Sequence, residues 1–234
     1  MDKVHLFEFT KMILRDKYDS AYPYFNGKPV HPSLFGQAFW DAYDLTFKEN
    51  SSQYNKNKQF YRWFNGKLGE LILWFNLKDN KNFICFQPGH YINYCDSNGD
   101  DGDIKIRNIK TNKDYWFSVK TTFYTHRLLT EQVYHYNEDG IYKPGEKDII
   151  FDRHYIVRLN QDVSKLDVYK DPLILYEDVI KLDWKYDIPG YMTHQDFLEV
   201  IRNKHIINKG ELNHRSDVYF VHQCDLNKIN FKLK

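Results

Sequence analysis

The sequence lacks the features that mark secreted, membrane-spanning or zinc-binding proteins. Its three cysteines, Cys85, Cys95 and Cys224, are odd in number and far apart, a pattern that indicates buried free thiols in a reducing compartment. Charges interrupt the N-terminal stretch MDKVHLFEFTKMILRDKYD, where a signal peptide needs a continuous apolar core. No run approaches the roughly 18 apolar residues of a membrane span. We therefore expect a cytoplasmic protein that does not associate with a membrane.

The sequence also lacks a charge imbalance, an internal repeat and a long low-complexity tract. Its net charge of +1 does not by itself indicate nucleic-acid binding, although an acidic metal centre would cancel basic patches in such a count. What it does have is length and aromatic side chains. Its 234 residues, 18% of them aromatic, suffice for a large hydrophobic core.

Hydrophobic periodicity predicts helices first and strands afterwards. Residues 1–50 are predicted to be mostly helical with two aromatic stripes, and residues 59–77 to form one amphipathic helix. A helix is also predicted over residues 125–137, and another after the capping-box pair Thr193 and Asp196. Strands are predicted over 83–86, 91–94, 103–107, 115–120, 154–159 and 218–222, with a break at Pro189-Gly190. This order predicts an α/β protein with a central sheet.

The most informative local pattern is a hairpin with one polar face. The segment DIKIR alternates polar and apolar residues, the turn signal KTNK follows, and YWFSVK alternates again. Because strand side chains alternate faces, Asp103 and Lys120 are both expected on the polar face. A divalent cation such as Mg²⁺ could bind there to Asp103 and to a backbone carbonyl near Val119. An acidic ligand, a metal ion and a neighbouring lysine are together the groups that phosphodiester hydrolysis needs. Asp100 and Asp101, in the turn-rich SNGDDG, are predicted to be turn residues.

The order of these motifs resembles that of the PD-(D/E)xK nucleases. GKLGE carries Glu70 on a predicted helix, DDGDI carries Asp103 on a strand, and SVK carries Lys120 on the next strand, followed by a predicted helix. The resemblance implies a restriction-endonuclease-like fold, a central mixed sheet flanked by helices. It also implies a Mg²⁺-dependent endonuclease similar to type II restriction enzymes, with Mn²⁺ able to replace Mg²⁺. In that enzyme Lys120 would orient or activate the water that attacks phosphorus in double-stranded DNA, leaving 5′-phosphate and 3′-hydroxyl ends.

One position departs from the family pattern, because Ser118 stands where the family usually has Asp or Glu. The resemblance therefore implies an S-x-K variant, in which a glutamate on the following helix supplies the missing carboxylate. Glu131 lies on that predicted helix, and Glu70 is the other candidate. Both are predicted to act in catalysis and in metal binding, beside Asp103 and the carbonyl of Val119.

The resemblance also suggests how the chain is organised around DNA. Residues 1–184 would form the nuclease core with N-terminal helices, and residues 185–234 a C-terminal extension packed on or beside it, with a role in recognising DNA. A homodimer is expected, because a two-fold DNA site calls for a two-fold protein. Candidate DNA contacts are Gln132 and Tyr136, which fit a Q-x-x-x-Y pattern, and the basic residues Arg62 and Lys67. The histidines His126 and His135 are candidates either for a general base or for DNA contacts.

Two alternatives stay open from the sequence. The first is a nuclease of the same fold that serves repair, junction resolution or a phage function instead of a restriction system. The second is a module that binds DNA or a partner and has lost cleavage, an alternative that Ser118 supports because it removes one acidic ligand.

Overall fold

The protein has a mixed α/β fold built on two sheets. The computed structural model describes residues 24–48, 55–88, 103–124, 128–143, 148–209 and 216–227. The α-helices in these ranges are α1 (Ser33–Lys48), α2 (Lys56–Leu77), α3 (Pro172–Ile180) and α4 (His194–Arg202). The strands are β1 (Lys28–Pro29), β2 (Phe83–Cys85), β3 (Ile104–Asn108), β4 (Asp114–Phe123), β5 (Leu128–Gln132), β6 (Arg153–Leu159), β7 (Lys185–Thr193), β8 (Ile206–Ile207) and β9 (Val218–His222).

The larger sheet has six strands in the order β1-β7-β6-β4-β3-β2, and the smaller sheet has three in the order β5-β9-β8. Strands β4 and β6 run parallel, and the other paired strands of both sheets are antiparallel. Strand β7 lies between β1 and β6. The predicted C-terminal extension, residues 185–234, therefore supplies a strand of the larger sheet as well as β8 and β9.

The predicted hairpin is confirmed in β3 and β4. The strands pair antiparallel with Ile104 opposite Phe117. The side chain of Asn108 closes the turn by accepting hydrogen bonds from the backbone N–H groups of Lys110 and Thr111. Asn112 adopts a positive φ of 55°, a conformation that asparagine tolerates better than most residues.

Helix α2 confirms the amphipathic helix predicted over residues 59–77. Its first turn is capped by the Asn55 side chain, which accepts hydrogen bonds from two backbone N–H groups. Its apolar stripe is buried against the sheet. Gly69 brings the helix backbone close to β4, since a Cβ atom at this position would lie 1.8 Å from Oγ1 of Thr121.

The two faces of the six-stranded sheet are covered by different layers. On one face, α2 packs against alternate residues of the strands, including Phe117 and Val119 of β4 and Tyr155 of β6, and α1 packs on α2. On the opposite face, the three-stranded sheet and α4 form a second core. This second core includes Leu129, Ile156, Met192, Phe197 and Tyr219. Side chains of β4 that point away from α2 therefore enter the space between the two sheets.

The helix predicted over residues 125–137 is wrong within the described part of that range. Residues Leu128–Gln132 form β5, and Val133–His135 form a single 3-10 turn. Strand β5 pairs with β9 at five positions, from Leu128 opposite His222 to Gln132 opposite Val218. Pairing with a strand far along the chain thus outweighs the helical spacing of the local apolar residues.

The predicted break at Pro189-Gly190 is also wrong, because both residues lie within β7. The register between β6 and β7 shifts in this region, between Ile156 and Arg158. Such an irregularity accommodates a proline, which has no N–H to donate to a neighbouring strand.

The predicted strands over residues 83–86, 154–159 and 218–222 are confirmed as β2, β6 and β9. The capping box of Thr193 and Asp196 is confirmed at the start of α4. The first aromatic stripe of residues 1–50 and the strand predicted over residues 91–94 lie outside the described residues. No helix in the described ranges is long and apolar enough to cross a membrane.

Candidate active site

Asp103 and Lys120 lie at the same end of the hairpin and on the same polar side. Asp103 immediately precedes β3, and its carboxylate accepts a hydrogen bond from the backbone N–H of Val119 on β4. The side chains of Ser118 and Lys120 point away from α2, while those of Val119 and Thr121 point towards it. The expected pairing of an acidic and a basic side chain on one face is therefore present.

Glu131 completes this cluster from the second sheet. Its carboxylate is almost fully buried, with 2% of the side chain exposed, and lies 3.2 Å from the Lys120 amine through Oε2. Its other oxygen, Oε1, accepts a hydrogen bond of 3.1 Å from the Ser118 hydroxyl and lies 2.9 Å from Nδ1 of His154. Three side chains from two neighbouring strands thus converge on one carboxylate.

The positions of these groups follow from strand register. Ser118 on β4 is directly beside His154 on β6 in the parallel pair, so both side chains point to the same face. Glu131 stands on β5 opposite Tyr219 of β9, and Leu129 of the same strand is buried in the second core. The smaller sheet therefore holds Glu131 above the row formed by Ser118 and His154.

Lys120 and Glu131 form an ion pair within the cluster. Burial raises the pKa of Glu131, but the positive charge of Lys120 and the hydrogen bond from His154 outweigh burial and lower this pKa to about 2. Burial lowers the pKa of Lys120, yet the negative charges of Glu131 and Asp103 raise it above the ordinary lysine value. Both groups are charged at neutral pH.

Aromatic side chains close the inner side of the cluster. Tyr136 is buried, and burial together with the negative charge of Glu131 raises the pKa of its hydroxyl. Its ring contacts those of Tyr142 and Phe197, with centroid distances of 5.4 and 4.8 Å. Lys120 keeps 38% of its side chain exposed. The cluster is therefore open on the side of Lys120 and closed on the side of Tyr136.

A divalent cation at this site would be coordinated by two carboxylates. No group of three or more His, Cys, Asp or Glu side chains in the described ranges is arranged to hold a metal. Mg²⁺, however, commonly binds through one or two carboxylates and retains several waters. Asp103 and Glu131 both lie within electrostatic reach of Lys120, and with the Val119 carbonyl they would supply the oxygen donors that such an ion takes.

Glu70 does not lie with this cluster. It follows Gly69, which contacts Thr121, so its helix covers the opposite face of the sheet from Lys120. The Glu70 carboxylate forms an ion pair of 2.6 Å with Lys67. Of the two glutamates left open by the sequence, the structure brings Glu131 to Lys120.

The described residues that were predicted to contact DNA lie on helix α2, at the end of strand β5 and in or after the 3-10 turn that follows it. Arg62 is exposed on α2, whereas Lys67 is buried and engaged by Glu70. Gln132 ends β5 and Tyr136 follows a 3-10 turn, so they do not share the helical face that the Q-x-x-x-Y pattern predicted. His135 is half-buried and packs against Tyr142. Three other predicted residues lie outside the described ranges, namely Asp100, Asp101 and His126.

The sequence did not identify two members of the cluster. The family pattern marks Ser118 only as a missing carboxylate, but its hydroxyl donates a hydrogen bond to Glu131. The pattern of HYIVRL predicts only that His154 begins a strand, although it is a polar residue in an otherwise largely apolar segment. A polar side chain in a buried strand was the available signal, because such groups are retained where they have a hydrogen-bond partner.

Comparisons with protein-family models, with curated proteins and with solved structures find no match to this chain. The chemistry of the site must therefore be inferred from its own geometry. That geometry is an ionised pair, Lys120 and Glu131, with Asp103 beside it and one open side.

Proposed function

We propose that the protein is a metal-dependent DNA endonuclease that hydrolyses phosphodiester bonds, similar to a type II restriction enzyme. The observation that carries this proposal is the convergence of Asp103, Lys120 and Glu131 at one end of the β3–β4 hairpin. An anionic pair of ligands beside a fixed cation suits a reaction in which negative charge develops on a phosphate.

Lys120 is suited to electrostatic stabilisation and to orienting water. Because its pKa is raised, the amine stays protonated at neutral pH and does not serve as a general base. Its ammonium group would offset charge on the non-bridging phosphate oxygens while water attacks phosphorus and the bond to the 3′ oxygen breaks. The side chain is partly exposed, so a phosphate can reach it.

Glu131 is suited to replace, as a metal ligand, the acidic residue that the family usually has at position 118. The short Ser118 side chain leaves room for the Glu131 carboxylate and donates a hydrogen bond to it. Asp103, Glu131 and the Val119 carbonyl would hold Mg²⁺ or Mn²⁺. When bound, the ion would supply charge neutralisation at the phosphate and a more acidic water.

The architecture is compatible with this assignment. A mixed sheet presents the hairpin next to a parallel strand, β6, and helices α1 and α2 cover one face. We therefore include a restriction-endonuclease-like core in the proposal. Double-stranded DNA would be the substrate, and cleavage of both strands would require two such sites, which a homodimer provides.

The test is plasmid cleavage with Mg²⁺ or Mn²⁺. We expect discrete fragments from the wild type, and a loss of about 100-fold or more in rate from Asp103→Ala, Lys120→Ala and Glu131→Gln. Glu70→Gln should cut like the wild type, because Glu70 lies on the helix that covers the opposite face. Lys181→Ala is the matched lysine control, since Lys181 forms an exposed ion pair with Glu177 at the C-terminal end of α3.

Undiminished cutting by Lys120→Ala would reject the proposed mechanism.

A second function, a DNA-binding module without cleavage, is favoured by one observation. Both Glu131 oxygens already accept hydrogen bonds or an ion pair from protein groups. Tight DNA binding in a gel-shift experiment, unchanged by Mg²⁺ and without any cutting, would support that module and contradict the nuclease.

A further inference from the structure

His154 is a fully buried histidine whose polar contact is with the candidate site. Its side chain has no exposed surface, and Nδ1 lies 2.9 Å from Oε1 of Glu131. Its other ring nitrogen, Nε2, is buried and has no hydrogen-bond partner among the described residues. Burying an unpartnered polar atom is unfavourable, so the contact with Glu131 is the polar interaction that compensates for placing an imidazole here.

The direction of this hydrogen bond follows from the charge of its partner. A carboxylate that binds a cation is deprotonated, and a deprotonated carboxylate only accepts hydrogen bonds. Nδ1 of His154 therefore carries a hydrogen and donates a hydrogen bond to Oε1. Ser118, the neighbour of His154 across β4 and β6, donates to the same oxygen.

The imidazole ring is held in place by aromatic packing. Phe197, Phe151 and Tyr136 surround it, with centroid distances of 4.6, 5.6 and 6.1 Å. Because the ring has little freedom to turn, the donor at Nδ1 has a fixed position. Two fixed donors on adjacent strands thus anchor Oε1 on the buried side, while Oε2 points to the more exposed Lys120.

We infer that His154 is a positioning residue that, together with Ser118, holds Oε1 of Glu131 inward and so presents Oε2 to a divalent cation. This inference rests on the proposed function, because it assumes that the cation binds at Glu131. His154 touches neither substrate nor cation and acts through the carboxylate. A histidine that only filled the core would influence stability without influencing the affinity for the ion.

Replacing His154 by asparagine or by glutamine distinguishes a positioning role from a role in packing alone. The side-chain nitrogen of asparagine is attached to Cγ, as Nδ1 of histidine is, whereas that of glutamine lies one bond further out, as Nε2 does. His154→Asn therefore retains a donor near the Nδ1 position, and His154→Gln does not. Glutamine is closer to histidine in volume, so a role in packing alone would favour His154→Gln.

The experiment is Mn²⁺ binding by calorimetry on the full chain without DNA, with urea unfolding of each variant as the measure of stability. We expect His154→Gln and His154→Leu to bind Mn²⁺ about 10–100-fold more weakly than the wild type. His154→Asn should bind more tightly than His154→Gln, even where it is less stable. Ser118→Ala should weaken binding in the same direction, and the exposed His205→Leu should not change it.

Equal Mn²⁺ affinities for wild type, His154→Asn, His154→Gln and His154→Leu would overturn the inference about His154. If the wild type nevertheless cuts DNA and Lys120→Ala does not, the proposed function survives that result. If the wild type binds no Mn²⁺ and cuts no DNA, the metal site and the role of His154 both fail. An affinity order that follows stability, with His154→Gln above His154→Asn, would leave His154 as a core residue only.

Discussion

Glu131 is an ionised carboxylate in a position with almost no exposure to water. A buried charge is stabilised only when donors and an opposite charge surround it. Here Ser118 and His154 provide hydrogen bonds and Lys120 provides the charge. The residue is therefore costly to alter, and its protonation state has a direct effect on folding.

The lowered pKa of Glu131 predicts how stability depends on pH. The folded protein binds the Glu131 proton more weakly than the unfolded chain, with a pKa of about 2 against an ordinary value of 4.5. Its contribution is therefore complete above pH 4.5 and disappears as the pH falls towards 2. We expect Glu131→Gln to lower the free energy of unfolding by on the order of 2 kcal/mol at pH 7.

Urea unfolding of wild type and Glu131→Gln between pH 7 and pH 2 measures this difference. The two curves should converge at the acidic end. Glu177→Gln, in an exposed pair with Lys181, is the control and should show little difference at any pH. A difference between wild type and Glu131→Gln that stays constant down to pH 2 would contradict the lowered pKa.

At the scale of elements, helix α2 depends on a glycine where it meets β4. Gly66 and Gly69 lie in the same helix, but a Cβ atom at Gly66 would meet nothing within 4 Å. At Gly69 it would collide with Oγ1 of Thr121. Alanine at Gly66 therefore tests helical propensity alone, whereas alanine at Gly69 also tests whether there is space for a Cβ atom.

We expect opposite effects from the two alanine substitutions. Gly66→Ala should stabilise the protein by about 0.5–1 kcal/mol, because alanine loses less backbone entropy in a helix. Gly69→Ala should destabilise it by about 1–3 kcal/mol through overpacking against Thr121. Thermal or urea unfolding measures both, and similar effects at the two sites would show that α2 does not approach β4 as described.

At the scale of the whole molecule, Arg158 joins segments that are distant in sequence. It is fully buried on β6 and forms a two-pronged pair with Asp187 on β7, at 2.7 and 2.5 Å. Longer contacts reach Gln223 after β9 and the carbonyl of Tyr24. The two strands and both ends of the described chain therefore meet at one guanidinium group.

Removing the partner of this buried charge should be strongly destabilising. We expect Asp187→Ala to lower the free energy of unfolding by about 3–5 kcal/mol, because Arg158 would remain buried without its counter-charge. Glu177→Ala, which breaks an exposed pair, should cost below about 0.5 kcal/mol. The double substitution Arg158→Met with Asp187→Leu should recover much of the loss, and equal costs for Asp187→Ala and Glu177→Ala would show that the pair is not buried.

The local sequence pattern alone predicted the β3–β4 hairpin, helix α2 and the common face of Asp103 and Lys120. Strand alternation and a helical stripe depend on residues that are neighbours in sequence, so the sequence can reveal them. The same holds for the capping box of Thr193 and Asp196, whose reciprocal hydrogen bonds join residues three positions apart.

Only tertiary structure decided the surroundings of Glu131. The spacing of residues 125–137 favoured a helix, but pairing with β9 made the described part a strand and a 3-10 turn. That pairing carries Glu131 to Ser118, His154 and Lys120, and the packing of α2 leaves Glu70 on the other face. The pairing of β5 with β9 joins segments far apart in the chain, and the contacts of Glu131 depend on burial and register that no local pattern contains.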